Sequence, residues 1–406
     1  MSTSTTRLID LVGKDYYLLA LVGRMPFAMT VVGVFTLVVL VTDSFSDAGL
    51  TSASVGIGTA IAGPFLGVAA DKYGQKIVLL ACTAVHTLAL VGLTVLTYTY
   101  AHLPVLMASA FIIGASAPQL AAMSRARLLN AINSALPLER RSQTLNRTMS
   151  VESVADELVF VFGPVAVGVL AAQIGPWSPL IAAAALTAVF VSGFALHKTA
   201  RFAVKPAGEE HAQKPALAEV FSGKIMVLAA AMFTVGMFFG GMFTSLTSFM
   251  DELGLAESSG IIYAAMGAGS AVFALAVVLF PARFTQSARW LVFAGISVLS
   301  AVFLPYVTTL PAITVVLVGL GVGLGPCLVT IFSLGSARAP HGRSATVMTI
   351  LSSAIVIGQS TFTAITGVIV DAQGTSAALL VPLAATIMLL LVGFINHYVF
   401  RRHTGN

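Results

Sequence analysis

Long apolar stretches separated by short polar connections run along the whole chain. A helix needs about 20 apolar residues to cross a lipid bilayer, and twelve segments of the sequence meet that requirement. Their predicted limits are 16–41, 50–70, 77–98, 104–124, 148–172, 179–197, 224–250, 259–281, 289–309, 311–335, 344–370 and 376–399. The pattern predicts an all-α membrane protein with twelve transmembrane helices, numbered in chain order as spans 1 to 12.

The composition argues against a soluble enzyme. Of 406 residues, 57% are hydrophobic and 9% are charged, whereas soluble domains carry roughly 25% charged residues. Cys82 and Cys327, the two cysteines, each lie in an apolar run and cannot form a disulfide framework or a four-ligand zinc site. No nucleophile constellation, phosphate-binding loop or metal motif occurs, so we expect neither an enzyme nor a cofactor.

The basic residues predict how the chain is oriented. Of 21 lysines and arginines, all but Arg24 fall at one side of the twelve spans, and Arg125 and Arg127 are assigned to the connection between spans 4 and 5. The positive-inside rule makes this side cytoplasmic. We therefore expect a multi-pass protein of the cell membrane with both termini in the cytoplasm. The net charge of +5 reflects this topology and does not indicate a nucleic-acid partner.

The chain divides into two similar parts. The predicted organisation is an N-terminal six-helix half at 1–197, a polar linker at 198–223 and a C-terminal six-helix half at 224–406. The segment "RRSQTL" before span 5 resembles "GRSATV" before span 11, and "AAQIG" after span 5 resembles "DAQG" after span 11. Parallel six-span repeats occur in one large transporter fold. The alignment places Ala354, Gly358 and Gln359 opposite the acids of span 5.

The loop between spans 2 and 3, "GVAADKYGQK", resembles the loop signature of the major facilitator superfamily. The matching residues are Gly67, Asp71, Lys72, Gly74 and Lys76, and Gln75 stands where a base is usual. A glycine permits close helix approach or a turn with positive φ, and an aspartate accepts hydrogen bonds at a helix N-terminus. The resemblance covers the whole chain and implies that this loop latches the two halves on the cytoplasmic side.

Span 5 contains "FGPVAVG", which partly resembles the exporter signature of the same family. Gly163, Pro164 and Gly168 match, whereas Val167 replaces the first paired glycine. The glycines thin the helix and the proline favours a bend, so we expect this segment to pack against the opposite half. Family exporters often carry an arginine in span 4, four residues before a glycine, but Ala110 has that place here.

Four ionisable residues lie deep within the N-terminal spans. Arg24 is nine residues into span 1, and Asp156 is nine residues beyond Arg147 in span 5, so both should lie about 13 Å along their helices. Glu152 shares a helix face with Asp156, and Glu157 is rotated away. Charges at this depth are costly and usually functional. The resulting hypothesis is proton coupling, with Asp156 as the partner of Arg24 and either Glu157 or Glu152 as the titrating acid. A static ion-pair network is the alternative.

The family resemblance also implies that spans 1 and 7 line a central cavity. The candidate substrate contacts are Phe27, Met237, Phe238, Met242 and Gln359, because methionine and phenylalanine form an adaptable apolar surface. We expect a monomeric, proton-coupled antiporter, surrounded by lipid, that exports a small, partly apolar molecule by alternating access. The alternatives are an importer of an organic anion, with Arg24 as a carboxylate clamp, and a non-transporting membrane sensor or scaffold.

Overall fold

The computed structural model describes residues 8–203, 217–281, 283–340 and 344–401. Within these ranges the side chains of Asp71, Arg147 and Glu157 lie outside the described residues. The described chain is helical, without strands. The helices are α1 (Leu8–Val12), α2 (Lys14–Val22), α3 (Met25–Thr42), α4 (Phe45–Tyr73), α5 (Gln75–Tyr98), α6 (Leu103–Ala115), α7 (Leu120–Ala135), α8 (Leu138–Gln173), α9 (Ser178–Leu186), α10 (Ser192–Leu196), α11 (Leu217–Val220), α12 (Gly223–Glu252), α13 (Ser259–Ala276), α14 (Gln286–Ala301), α15 (Leu310–Arg338), α16 (Ser344–Gln373), α17 (Thr375–Ala378) and α18 (Leu380–Arg401).

The helices confirm a multi-pass membrane architecture. In the described part of the chain, eleven segments are long and apolar enough to cross a membrane. Helix α8, which corresponds to span 5, has 36 residues, a length that suffices to span a bilayer.

Spans 1, 4 and 6 each depart from a continuous α-helix. Span 1 breaks between α2 and α3 at Gly23 and Arg24, because Pro26 lacks an N–H and its ring conflicts with a continuous helix. Span 4 breaks between α6 and α7 beside Pro118, and span 6 contains a π-helical turn at Thr187–Val191. A Cβ atom at Gly23 would lie 2.7 Å from Cδ2 of Leu120, the first residue of α7. The breaks in spans 1 and 4 are therefore adjacent.

The interruption in span 4 corrects its predicted limits. Hydropathy placed the end of this span at residue 124, and the arginines that follow were assigned to a connecting loop. The helix continues to Ala135, and only Leu136 and Pro137 separate it from α8. Arg125 and Arg127 thus lie on helix α7 and not in a loop, with Arg127 buried against other helices and Arg125 30% exposed.

Two groups of helices form the bundle. Helices α2–α10 pack mainly on one another, as do α12–α18; we call them the N-terminal and C-terminal groups. The pairs α4 with α16 and α8 with α13 make the main contacts between the groups. The proposed linker boundaries remain a prediction, since residues 204–216 lie outside the described ranges.

The bundle has two chemically different ends. We call the end that contains Lys14 and the turn between α4 and α5 the basic end. The opposite end contains Asp43, Asp251 and Asp371 and is called the acidic end. Among the described residues, the connections at the acidic end contain no lysine or arginine. This charge division agrees with the distribution that the predicted spans require.

Candidate functional site

The side chain of Arg24 lies at the break in span 1. Its backbone N–H donates to the carbonyl oxygen of Leu21 at 3.2 Å, and its own carbonyl oxygen accepts from the N–H of Phe27 at 3.1 Å. The guanidinium is 4% exposed. Burying a guanidinium costs desolvation free energy unless an anion lies beside it. The stability of Arg24 in this place therefore depends on nearby acidic side chains.

Helix α8 supplies both counter-ions of Arg24. Nη2 of Arg24 pairs with Oε2 of Glu152, which is also 4% exposed. Nη1 of Arg24 contacts Oδ1 of Asp156 at 3.0 Å and donates to the backbone carbonyl oxygen of Glu152 at 3.4 Å. The contact between Arg24 and Asp156, predicted from their equal depths, is present. Glu157 lies outside the described side chains.

Arg125 is a fourth member of this cluster that the sequence analysis missed. Its Nη2 pairs with Oδ2 of Asp156, and the two side chains are 30% and 24% exposed. Asp156 therefore bridges Arg24 of span 1 and Arg125 of span 4. We call Arg24, Arg125, Glu152 and Asp156 the charge quartet. The quartet contains two cations and two carboxylates, and Glu157, the third predicted acid, lies outside the described side chains.

Arg127 is a second buried cation that hydropathy assigned to a loop. It is 1% exposed, and its Nε donates to Oε1 of Gln75 at 2.8 Å. Its Nη1 donates to the carbonyl oxygen of Phe194 at 2.7 Å, and the guanidinium lies 4.0 Å from the centroid of the Phe194 ring. These contacts tie spans 3, 4 and 6 together, so its role is in packing.

The signature loop between spans 2 and 3 forms the turn between α4 and α5. Gly74 has a φ of +88°, which agrees with the need for glycine at this turn. Lys72 and Lys76 are exposed, and the side chain of Asp71 lies outside the described residues. Among the described residues, no atom lies within 4 Å of a Cβ built at Gly67, so the close packing expected at this glycine is not seen there.

The glycine–proline segment of span 5 joins the two groups. A Cβ atom at Gly168 would lie 2.7 Å from the backbone nitrogen of Ile261 in α13. A Cβ at Gly260 would overlap the carbonyl oxygen of Pro164. Gly163 packs against Ala28 within the N-terminal group. The predicted packing of this segment against the opposite half is thus present and occurs toward the acidic end.

The candidate substrate contacts differ in exposure. Phe238 and Met242 are 1% and 0% exposed, and Met237 is 6% exposed; all three belong to the main apolar core. Phe27 and Gln359 are half-buried. In this conformation Phe27 and Gln359 are the more accessible members of the predicted set. A role in substrate binding remains a prediction for all five residues.

Comparison with known proteins gives a family. Residues 17–363 match the family model described as Major Facilitator Superfamily. No curated protein matches the chain in sequence.

Solved structures resemble the fold over nearly its whole length. The structure of nucleoside transporter NupG has a TM-score of 0.65 and 18% sequence identity, and the match covers 95% of this chain and 98% of that chain. The structure of the human organic anion transporter MFSD10 (TETRAN) has a TM-score of 0.63 and 17% identity, with the same coverage of 95% and 98%. At these identities the likeness establishes the fold.

Proposed function

The chain belongs to the major facilitator superfamily and is a transporter rather than an enzyme, and on that premise we propose that it is a proton-coupled antiporter. It exports a small, partly apolar molecule across the cell membrane by alternating access. The positive-inside rule makes the basic end cytoplasmic, and we therefore assign both termini to the cytoplasm. The charge quartet is the observation that carries the coupling proposal.

The quartet links protonation to helix arrangement. When Glu152 or Asp156 binds a proton, one guanidinium loses a counter-ion in a poorly solvated place. Removing one partner of a buried pair typically costs about 3–5 kcal/mol, so the protonated protein favours a different arrangement of spans 1, 4 and 5. The carboxylate would bind a proton on one side of the membrane and release it on the other, and this proton flow would drive the transport cycle. The partial exposure of Asp156 and Arg125 provides a path for water to reach the buried pair.

The direction and the substrate class rest on separate features. The partial match of Gly163, Pro164 and Gly168 to the exporter signature supports export. Span 7 and the start of span 1 are rich in methionine and phenylalanine, side chains that suit varied apolar ligands. Phe27 and Gln359 are the accessible pair that we assign to the substrate cavity.

The rival functions are less well supported. In an organic-anion importer Arg24 would clamp the substrate carboxylate, but both of its terminal nitrogens already contact carboxylates of α8. A sensor or scaffold would need a domain or surface for signalling, whereas the described chain consists almost entirely of membrane helices.

The decisive experiment uses the purified full-length protein in proteoliposomes with a trapped pH indicator. A panel of partly apolar amines, nucleosides and organic anions is added at equal pH on both sides, and proton movement is recorded. An imposed pH gradient is then tested for its ability to drive substrate against its own gradient. Proton movement that depends on substrate and runs opposite to the direction of substrate transport supports antiport. Movement in the same direction, or transport indifferent to the gradient, contradicts the proposal.

Variants locate the coupling. Glu152→Gln and Asp156→Asn should each lower the rate of gradient-driven transport by at least about tenfold, while substrate exchange at equal pH continues. Glu139→Gln is the matched control, because Glu139 is an exposed acid in the first turn of the same helix. Full gradient-driven transport in both quartet variants would remove the quartet from the mechanism.

A further inference from the structure

We propose that Asp371 is a latch that holds the two helical groups together at the acidic end. Its carboxylate lies near the end of α16, in the C-terminal group, and binds the first amides of α4, in the N-terminal group. Oδ2 accepts a hydrogen bond from the N–H of Ser46 at 2.7 Å, and Oδ1 accepts from the N–H of Phe45 at 3.3 Å. The inference rests on alternating access and is independent of what drives it.

Helix α4 depends on Asp371 to complete its N-terminus. The first four N–H groups of any helix lack partners within the helix. In α4, the side-chain oxygen of Ser44 satisfies one of them by accepting from the N–H of Asp47 at 3.1 Å. Asp371 satisfies two more, those of Phe45 and Ser46. A carboxylate also interacts favourably with the positive end of the helix dipole, so the opposite group supplies half of this cap.

Glycines bring the two helices close enough for this contact. A Cβ atom at Gly367 would overlap the carbonyl oxygen of Phe45, and a Cβ at Gly49 would lie 2.8 Å from the carbonyl oxygen of Thr363. Toward the basic end of α4, no atom of the described residues lies within 4 Å of a Cβ built at Gly67. The groups therefore meet tightly at the acidic end, and alternating access requires that this contact open and close.

Other charges at the acidic end oppose closure. Asp43 of the N-terminal group and Asp251 of the C-terminal group line one cavity of about 170 Å³ beside Phe45. Two ionised carboxylates that face a common space repel each other. Closure of this end thus needs an attractive contact between the groups, and the cap formed by Asp371 provides one that is lost as soon as the ends of α4 and α16 separate.

The test measures the opening of the acidic end directly. Spin labels at Tyr100→Cys and Tyr306→Cys, both exposed and located in acidic-end connections of the two groups, report the separation by pulsed electron resonance. The protein is full length, in lipid nanodiscs, with Cys82 and Cys327 replaced by alanine. Asp371→Asn and Asp371→Ala should raise the ratio of long to short distances by about tenfold, as expected for the loss of a charged helix cap.

Two further variants keep the outcome decisive. Asp47→Asn removes an acid from the same helix terminus but within the same group, so it should leave the distances unchanged. Ser46→Pro removes the N–H that Asp371 binds, at a place in the first helical turn where proline is tolerated, and should act in the same direction as Asp371→Asn. Unchanged distances in the Asp371 and Ser46 variants, or an equal shift in Asp47→Asn, would refute the latch.

The latch and the coupling proposal can fail separately. The same distances are measured in an Asp156→Asn background, where proton coupling is expected to be absent. If Asp371→Asn still opens the acidic end there, the latch stands whatever ion drives transport. If the shift disappears only in that background, Asp371 acts through the charge quartet and the latch as stated is wrong.

Discussion

Helices α8 and α16 correspond to spans 5 and 11, which the predicted repeat places in equivalent positions, and they are built differently. Helix α8 carries Glu152 and Asp156, which pair with arginines of their own group. The aligned positions of α16 are Ala354 and Gly358, and a Cβ at Gly358 would overlap the carbonyl oxygen of Phe233 in α12. One repeat thus uses this position for buried charge, and the other uses it for close backbone packing.

The charges of the two helices also serve different contacts. Glu152 and Asp156 of α8, whose side chains are described, pair within the N-terminal group, whereas Asp371 of α16 reaches across to α4. A charge that stays within a group can respond to protonation without separating the groups. A charge that crosses between groups responds directly to their separation. Stability measurements on single-residue variants test this difference between the two helices.

The largest effect is expected from Arg24→Gln. It leaves Glu152 buried without a cation and should lower the free energy of unfolding by about 3–5 kcal/mol. Thermal unfolding in detergent, followed by tryptophan fluorescence, measures the loss. Restoring part of the stability with Arg24→Gln/Glu152→Gln would confirm the pairing. An Arg24→Gln protein as stable as the parent would show that the quartet is not a buried ionic cluster.

The next effect tests the packing role of α16. Gly358→Ala places a methyl group against the backbone of α12 and should destabilise by about 1–3 kcal/mol. Gly295→Ala in α14 is the matched control, since no atom lies within 4 Å of its Cβ position, and alanine favours a helix by up to about 1 kcal/mol. Equal stabilisation by both substitutions would contradict the difference between the two helices.

A smaller loss is expected from Arg125→Gln. Asp156 keeps Arg24 as a partner, and Arg125 is 30% exposed, so water screens the missing charge. We expect a decrease of about 1 kcal/mol or less in the free energy of unfolding. Arg140→Gln, an exposed arginine in α8, serves as the charge-matched control. A loss as large as that of Arg24→Gln would mean that Arg125 is the principal partner of Asp156.

The smallest effect is expected at the exposed start of α8. Glu139→Gln should change the free energy of unfolding by less than about 0.5 kcal/mol, as is usual for surface substitutions. The same thermal measurement applies. A larger change would show that the acids of α8 contribute through the helix terminus as well as through the buried quartet.

Much of the charge quartet could be read from the sequence. The equal depths of Arg24 and Asp156 follow from helix rise and from where each span begins, and both are local properties. Arg125 could not be found in this way. Span 4 was ended where its hydropathy falls, at residue 124, although Pro118 interrupts the helix and a polar second half continues to Ala135. A proline followed by a polar helical segment was the available signal.

A multi-pass helical membrane protein, the gathering of basic residues at one end of the bundle and the burial of Arg24 could all be predicted from the sequence. Each follows from the cost of exposing polar groups to lipid, which can be judged for one helix without knowledge of its neighbours. The position of Asp156 between two arginines and the cap that Asp371 forms on a helix of the other group are visible only in the tertiary structure. Those contacts depend on how helices rotate and pack against one another, and no single helix encodes the position of its neighbours.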